Sequence, residues 1–478
     1  MSAPTSLVVV GGGPAGLAAA YAARRRGATV TLLDSSDQLG GQYWRHAPGP
    51  GGPDHRLQHG WSTFTRLRDA LVEDAGCTIV TGAHVWAVER DTPVTLHVLV
   101  GPADGVEREA RTFAPDALVL ATGAHDRTLP FPGWDLPGVY TGGAAQAFAK
   151  AEGLALGRRV VVAGAGPFLL PVAASLVATG AQVLGVFEAS TVRRLARGWL
   201  PRPWQLAGST GKLGELAGYV GTQVRHRVPY RPGYAVVAAH GDTGVESVTL
   251  SRVDADWSPI PGTERRLDVD AVCVSHGFTP RLELPLSAGA EVGGDGFAIV
   301  DDEQRCAPGV YAAGEITGIA GADAALAEGA IAGHCAAGGS LTDPAIVGRV
   351  RDRSRSAQFA RRIQAAHGIG PGWRNWLTAP TLVCRCEEVS YGRLCDVAAA
   401  TPDAGMRSLR LTTRAGLGVC QGRICGRTVA ELLDHAGPTD HRPIAVPIRL
   451  GELAGPTAAR DLTSYPLPTP HHLSAEGT

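Results

Sequence analysis

Twice in this chain a short apolar strand runs straight into a glycine-rich turn and then a helix. Each time a second strand follows and ends on a carboxylate. The first case is Leu7–Val10, then Gly11-Gly-Gly13-Pro14-Ala15-Gly16, then the small-residue stretch Leu17–Ala23; strand Thr29–Leu33 follows and stops at Asp34. A G-x-G-x-x-G turn in that setting is the phosphate-binding turn of a βαβ dinucleotide unit. Gly11 permits the tight turn. Gly13 lets the backbone approach a pyrophosphate, with Pro14 and Ala15 beside it, and Gly16 lets the helix sit close on its strand. The helix N-terminus then offers free N–H groups and a positive dipole end to phosphate, and Asp34 is placed to accept from ribose hydroxyls.

The second case is Arg159–Ala163, then Gly164-Ala-Gly166-Pro-Phe-Leu169, a helix over about 170–179, and strand Gln182–Phe187 ending at Glu188. Leu169 stands where the third glycine belongs, so this helix cannot pack as closely. Glu188 favours NAD over NADP by repelling a 2′-phosphate, whereas Arg193 and Arg194 could receive one. A retained scaffold with an empty or repurposed site is the other reading. Neither nucleotide region holds a C-x4-C redox disulfide, so electrons must leave by another route.

That route is suggested near the C-terminus by Cys384-x-Cys386 and Cys420-x4-Cys425. Four thiolates suit a [2Fe–2S] cluster or structural zinc. Zinc sites favour pairs spaced as C-x2-C to C-x4-C, and the C-x-C pair fits that poorly. Glycines 416, 418 and 422 leave backbone N–H groups near the sulfurs, where N–H···S bonds tune a cluster's potential.

Length and composition narrow the class. A chain of 478 residues has room for two or three cores. Its formal charge of −1 gives no nucleic-acid-binding balance. No apolar run approaches the roughly 18 residues of a membrane span, and the N-terminus has no secretory leader pattern. With nine cysteines, the expectation is a cytoplasmic protein with thiols reduced or metal-bound. Cys77, Cys273, Cys306, Cys335 and Cys395 lack ligand spacing and read as small buried residues.

Further segments sharpen the picture: Leu39-Gly-Gly41-Gln42; the strand Ala117–Leu120 with its turn Ala121-Thr122-Gly123; and Pro308-Gly-Val-Tyr-Ala-Ala-Gly314-Glu315, followed by a small-residue helix from Gly321 through Ala322 to Gly333. These resemble the two-dinucleotide-binding-domain flavoproteins, an α/β fold in which an FAD domain is split by an inserted NAD(P)-type Rossmann domain. The resemblance implies FAD in the first site, bordered by the Ala121-Thr122-Gly123 turn, with Glu315 on the ribityl chain in place of the family's aspartate. The cysteine set resembles the bacterioferritin-associated-ferredoxin type of [2Fe–2S] domain.

Over nearly the whole length the chain resembles the α (A) subunits of hetero-oligomeric amino-acid and opine dehydrogenases, a group that includes opine oxidase, D-hydroxyproline and proline dehydrogenases, hydrogen cyanide synthase B and sarcosine oxidase α. Asp135-Leu-Pro-Gly-Val139, Glu328-Gly329 and Pro447-Ile-Arg-Leu-Gly-Glu-Leu-Ala454 add to the match. The resemblance implies a partner β subunit of the D-amino-acid-oxidase-like type carrying its own FAD. In some members it also implies a small third subunit, FMN at the subunit interface, or NAD or ATP in place of FAD.

The expected organisation is 1–150 as the first half of the FAD domain, 151–268 as the insert and 269–340 as the second half. A linker over 341–380, a [2Fe–2S] domain over 381–455 and a flexible tail over 456–478 complete it. The expected function is electron relay from an amine-oxidising partner through flavin and cluster. The alternatives are a self-contained NAD(P)H-dependent reductase and a non-catalytic assembly protein holding nucleotide and zinc. No residue reads as an acid/base catalyst for amine oxidation. His125 and His276 read as hydrogen-bonded structural histidines or proton carriers, Trp199 and Trp204 as packing, and the basic stretch 348–362 as a solvated helix face.

Overall fold

The computed structural model describes residues 5–48, 57–90, 93–201, 210–434 and 444–454. Trp204 and the segment 456–478 lie outside them. The first sheet runs Arg305–Ala307, Val310–Ala312, Ala117–Leu120, Ser6–Val10, Thr29–Leu33, Cys77–Val80 and is parallel apart from its first pair. Strands with helices or sheets on both faces must be apolar throughout, and Leu7 to Val10 are all buried. On one face lie helix Pro14–Arg25 and helix Ala322–Ala336, both rich in alanine and glycine. They cross closely, for a Cβ on Gly329 would stand 2.0 Å from the Ala15 carbonyl oxygen. The antiparallel sheet Ala83–Glu89, Thr95–Val100, Glu109–Phe113 covers the other face.

The second sheet is all parallel, in the order Tyr230–Pro232, Gln182–Glu188, Arg159–Gly164, Ala271–Ser275, Val139–Thr141. Helix Leu169–Ala178 packs on one face and the antiparallel sheet Tyr234–His240, Ser247–Arg252, Arg265–Asp268 on the other. Strands Val139–Thr141 and Ala271–Ser275 therefore belong to the insert, and the boundaries expected at 150/151 and 268/269 move. The chain crosses between the two units on an antiparallel ribbon, Ala124–Asp126 against Phe278–Pro280. Sequence periodicity sees a strand but not which sheet takes it.

Within the expected linker, residues 344–367 form one helix, which packs along helix Val192–Trp199 rather than lying solvated. The cysteine unit consists of the small ribbon Leu382–Cys384/Val389–Ser390 and helices Tyr391–Ala400, Met406–Thr413 and Gly426–Leu432. Residues 444–454, expected within it, return to the first unit. There Ala445 donates its N–H to the Trp86 carbonyl at 2.7 Å, and Arg108 pairs with Glu452 at 2.6 Å with both side chains largely buried. Among the described residues no helix is long and apolar enough to cross a membrane.

Candidate functional site

Between the two parallel sheets runs a cleft of about 2080 Å³, beyond the ~300–1,000 Å³ of a single small-ligand pocket. Of the first-site candidates, Gly11, Gly13, Pro14, Ala15, Asp34, Gly41, Gln42, Ala121, Thr122, Gly123, Gly314, Glu315 and Ala322 line it. Gly16 does not. Its place is structural, since a Cβ there would stand 1.7 Å from the Gly11 carbonyl oxygen. Gly11 has φ +107°, and a Cβ on it would meet the Ala121 oxygen at 2.3 Å. The glycine turn and the Ala121-Thr122-Gly123 turn are thus packed against each other. Asp34 accepts hydrogen bonds from the Gly12 and Ser36 N–H groups and, among the described residues, from no side chain. A carboxylate has about four lone-pair sites, so it keeps acceptor capacity toward the cleft.

Three polar residues that the sequence reading did not single out for the site support this half. Glu328 accepts from the Gly314 N–H and the Thr317 hydroxyl, both at 2.8 Å, holding the turn that carries Glu315. Burial, with Glu328 and Asp126 nearby, pushes the Glu315 carboxyl up to about 7. Asp126 accepts from the Thr141 hydroxyl at 2.7 Å and the Gly143 N–H at 3.1 Å, and its carboxyl is raised by burial. Lys150 lies on a π-helical turn and donates to the Tyr43 carbonyl at 2.9 Å, with burial lowering its pKa to about 8. Its signal in the sequence was available: it is one of two lysines in an arginine-rich chain. A carboxylate within an alanine-rich buried helix was the corresponding signal for Glu328.

The second site differs. Gly166 lines the cleft, but Gly164 and Glu188 do not. Leu169 is buried beneath the helix start, in a core with Val160 and Val162. Glu188 is fully buried and accepts from the N–H groups of Gly166 and Ser190, each at 3.0 Å, from His367 Nδ1 at 3.1 Å and from the Tyr230 hydroxyl at 3.4 Å. Arg194, one of the two candidate 2′-phosphate receivers, donates instead to the Ala255 carbonyl.

The four candidate ligand cysteines adjoin one another. The Cys425 thiol bonds to Cys384 and Cys420, and Cys386 bonds to Cys420. The Gly416 N–H points at Cys384 Sγ at 3.5 Å. The Cys425 thiol and these backbone donors lower Cys384 to about 6; the Cys425 thiol together with the Ile424 and Gly422 N–H groups lowers Cys420 to about 4. Among the described residues no group of three or more His, Cys, Asp or Glu side chains is arranged to hold a metal ion. A [2Fe–2S] centre asks for two thiolates on each of two irons, and the thiol chain with its N–H donors is compatible with that.

This loop meets the cleft. Arg423, between Cys420 and Cys425, lines it, and its carbonyl accepts from His125 Nε2 at 2.7 Å. Trp134 Nε1 donates to the Leu382 carbonyl and the Thr428 hydroxyl to the Thr128 carbonyl, each at 2.7 Å, and Arg127 pairs with Glu431. Segment 125–134, just after the Ala121-Thr122-Gly123 turn, is thus the dock for the cysteine unit. His125 is a hydrogen-bonded bridge. Burial pushes His276 down to about 3, which removes it as a proton carrier near neutrality.

The model of the family described as pyridine nucleotide-disulphide oxidoreductase matches residues 5–199 and 215–329. The A subunit of opine oxidase from Agrobacterium tumefaciens is 33% identical over 95% of this chain and 93% of its own. Hydrogen cyanide synthase subunit HcnB of Pseudomonas aeruginosa is 31% identical over 87% and 90%. The solved L-proline dehydrogenase of P. horikoshii superposes with a TM-score of 0.65, covering 94% of this chain and 79% of that one; at 19% identity it speaks for the fold alone. The chain therefore belongs to the pyridine nucleotide-disulphide oxidoreductase family, as a flavin-dependent oxidoreductase homologous to the opine oxidase A subunit and to hydrogen cyanide synthase subunit HcnB.

Proposed function

We propose that this chain is the electron-relaying α-type subunit of a hetero-oligomeric dehydrogenase that oxidises the C–N bond of an amino acid or opine. Its partner would be an FAD-containing subunit of the D-amino-acid-oxidase-like type. An interfacial FMN and a small third subunit would be further components, and the cytoplasm its place. The observation that carries this reading is the contact of the cysteine loop with the flavin half of the cleft, through His125 and the Arg423 carbonyl. FAD accepts electrons in pairs and a [2Fe–2S] centre passes them singly; what this chain supplies is their placement.

Gly11, Gly13 and the start of helix Pro14–Arg25 would hold the pyrophosphate, Asp34 a ribose, and Glu315, steadied through Glu328, the ribityl chain. Cys384, Cys386, Cys420 and Cys425 would hold the cluster, with the Gly416, Gly422 and Ile424 N–H groups stabilising negative sulfur.

The test is iron and acid-labile sulfide analysis of anaerobically purified chain, with visible spectra taken after adding candidate amines together with the partner subunit. Iron and sulfide in equal amounts, with flavin and cluster bleached by amine only when the partner is present, is the expected result. Zinc without sulfide would sink the relay. The cleft's reach to Gly166 favours a second reading, a self-contained NAD(P)H reductase, and rapid bleaching by NADH alone would establish it.

A further inference from the structure

The two nucleotide folds offer an internal comparison. In the first, the acid that ends the second strand keeps acceptor capacity and faces the cleft. In the second, Glu188 is enclosed by four donors and has no exposed surface. Two of those donors are backbone groups of the fold itself. The other two, Tyr230 and His367, are side chains brought in from elsewhere, and His367 comes from the far end of helix Pro344–His367.

The His367 contact is built rather than incidental. Trp199 Nε1 donates to His367 Nε2 at 3.1 Å. An indole N–H is a donor only, so Nε2 is the acceptor, the proton sits on Nδ1, and Nδ1–H points at Glu188. Arg362 donates to the Trp199 carbonyl at 2.9 Å, and Phe359 lies against the Trp199 ring with centroids 5.5 Å apart. Helix 192–199 accepts the long helix at Gly198, where a Cβ would meet the Ala366 Cβ at 2.6 Å. The imidazole is itself buried, with 7% of its side chain exposed.

We propose that His367 is a built-in occupant of the ribose subsite of the second nucleotide fold, so that this fold excludes NAD(H) and NADP(H) while the end of helix 344–367 is docked. NAD(H) uses the carboxylate at this strand end for its adenosine ribose, and NADP(H) would have to seat its 2′-phosphate beside that carboxylate. Here it would have to displace a buried imidazole hydrogen-bonded on both sides and leave the Trp199 N–H without its partner. A buried donor left without a partner opposes that displacement. His367 thus sets what the second fold can take, independently of Leu169.

The test is titration of full-length chain with NADH and NADPH, followed by nicotinamide fluorescence and calorimetry, in wild type, His367→Ala, His367→Gln and Trp199→Phe. The expectation is no saturation by either in wild type up to about 1 mM, and at least tenfold tighter NADH binding in His367→Ala. Gln, which can still donate to Glu188, is expected to behave like wild type. Trp199→Phe, which keeps the ring contact but frees the imidazole, is expected to gain affinity and decides the matter if His367→Ala does not fold. Wild-type binding of NADH at about 10 μM or tighter would overturn the proposal. So would folded His367→Ala and Trp199→Phe chains with no gain. The proposal does not rest on the relay reading: zinc in the cysteine site would sink the relay and leave this result untouched.

Discussion

The joint between the flavin half and the cysteine loop rests on a hydrogen bond whose removal has a calculable effect. His125 Nε2 stands 2.7 Å from the Arg423 carbonyl. A carbonyl only accepts, so Nε2 carries the proton, and burial, the first cause, lowers the imidazole's pKa and keeps it neutral at pH 7. His125→Leu keeps the bulk and deletes the donor. A typical hydrogen bond contributes about 0.5–1.5 kcal/mol net, and an acceptor left buried costs about 1–3 kcal/mol. Taking about 1–3 kcal/mol off the local opening free energy of the cysteine loop speeds amide exchange there by roughly 5- to 150-fold. The assay is hydrogen exchange of peptides spanning 415–428, with the strand Ser6–Val10 as internal control. His125→Gln, which supplies an N–H, should recover most of the protection. Loop amides in His125→Leu that exchange at the wild-type rate would refute the idea that this bond seats the loop.

Other perturbations test the rest of the site. The His276 pKa is depressed from 6.5 to about 3 by burial and then by Arg127. The unfolded chain therefore takes a proton that the native state refuses. Its contribution is whole above 6.5 and is lost as pH falls toward 3, amounting to roughly 2 kcal/mol by about pH 5. Urea midpoints at pH 7 and 5 should fall further in wild type than in His276→Gln, and equal falls would refute it. Lys150, lowered from 10.5 to about 8 by burial, carries the same sign: stability present above 10.5 is lost as pH falls through 8. Lys150→Met should then flatten the melting temperature between pH 8 and 10, and an unchanged slope would count against burial as the cause. Asp34→Ala should weaken flavin retention by about 1.5–3 kcal/mol, the range for hydrogen bonds to a charged group, while Glu188→Ala leaves it unchanged. Flavin fluorescence released on dialysis reads both, and equal losses would mean that the two acids are not differentiated.

Much of this architecture was legible because it is local. The strands Leu7–Val10 and Arg159–Ala163, their glycine turns and the terminal acids each sit within one short window where spacing and packing obey one rule. That the four cysteines adjoin one another was legible in their paired spacing, which needs no tertiary information. What escaped reading depends on partners far away in sequence. Strand Val139–Thr141 and strand Ala271–Ser275 look like any short apolar strand, and only pairing shows that both complete the second sheet. The segment 444–454 was assigned by adjacency to the cysteines, yet the buried pair Arg108–Glu452 ties it to the first unit. The stretch 348–362 was legible as a helix but not as an anchored one, because arginines such as Arg353 and Arg362 reach Asp302 and the Trp199 carbonyl.

The sharpest case is the pair Asp34 and Glu188. Motif reasoning treats them alike: each closes a strand–turn–helix–strand unit, and each is an acid of the right type. What separates them is whether lone pairs are free, and in Glu188 they are engaged by a histidine 179 residues away. A fingerprint reports that a backbone can cradle a pyrophosphate. It does not report whether the groups that must read the rest of the nucleotide are already engaged. If electrons arrive from a separate partner, as proposed above, a second fold open to NADH would let reducing equivalents enter by a competing route. A helix end in the ribose subsite, as proposed, would close that route while keeping the scaffold on which the cysteine unit is mounted, through Trp257 and Trp376, stacked 6.2 Å apart, and the Arg374–Asp434 pair. On this argument the repeated fold is kept for architecture, and the filled ribose subsite would close one entry for electrons from nicotinamide.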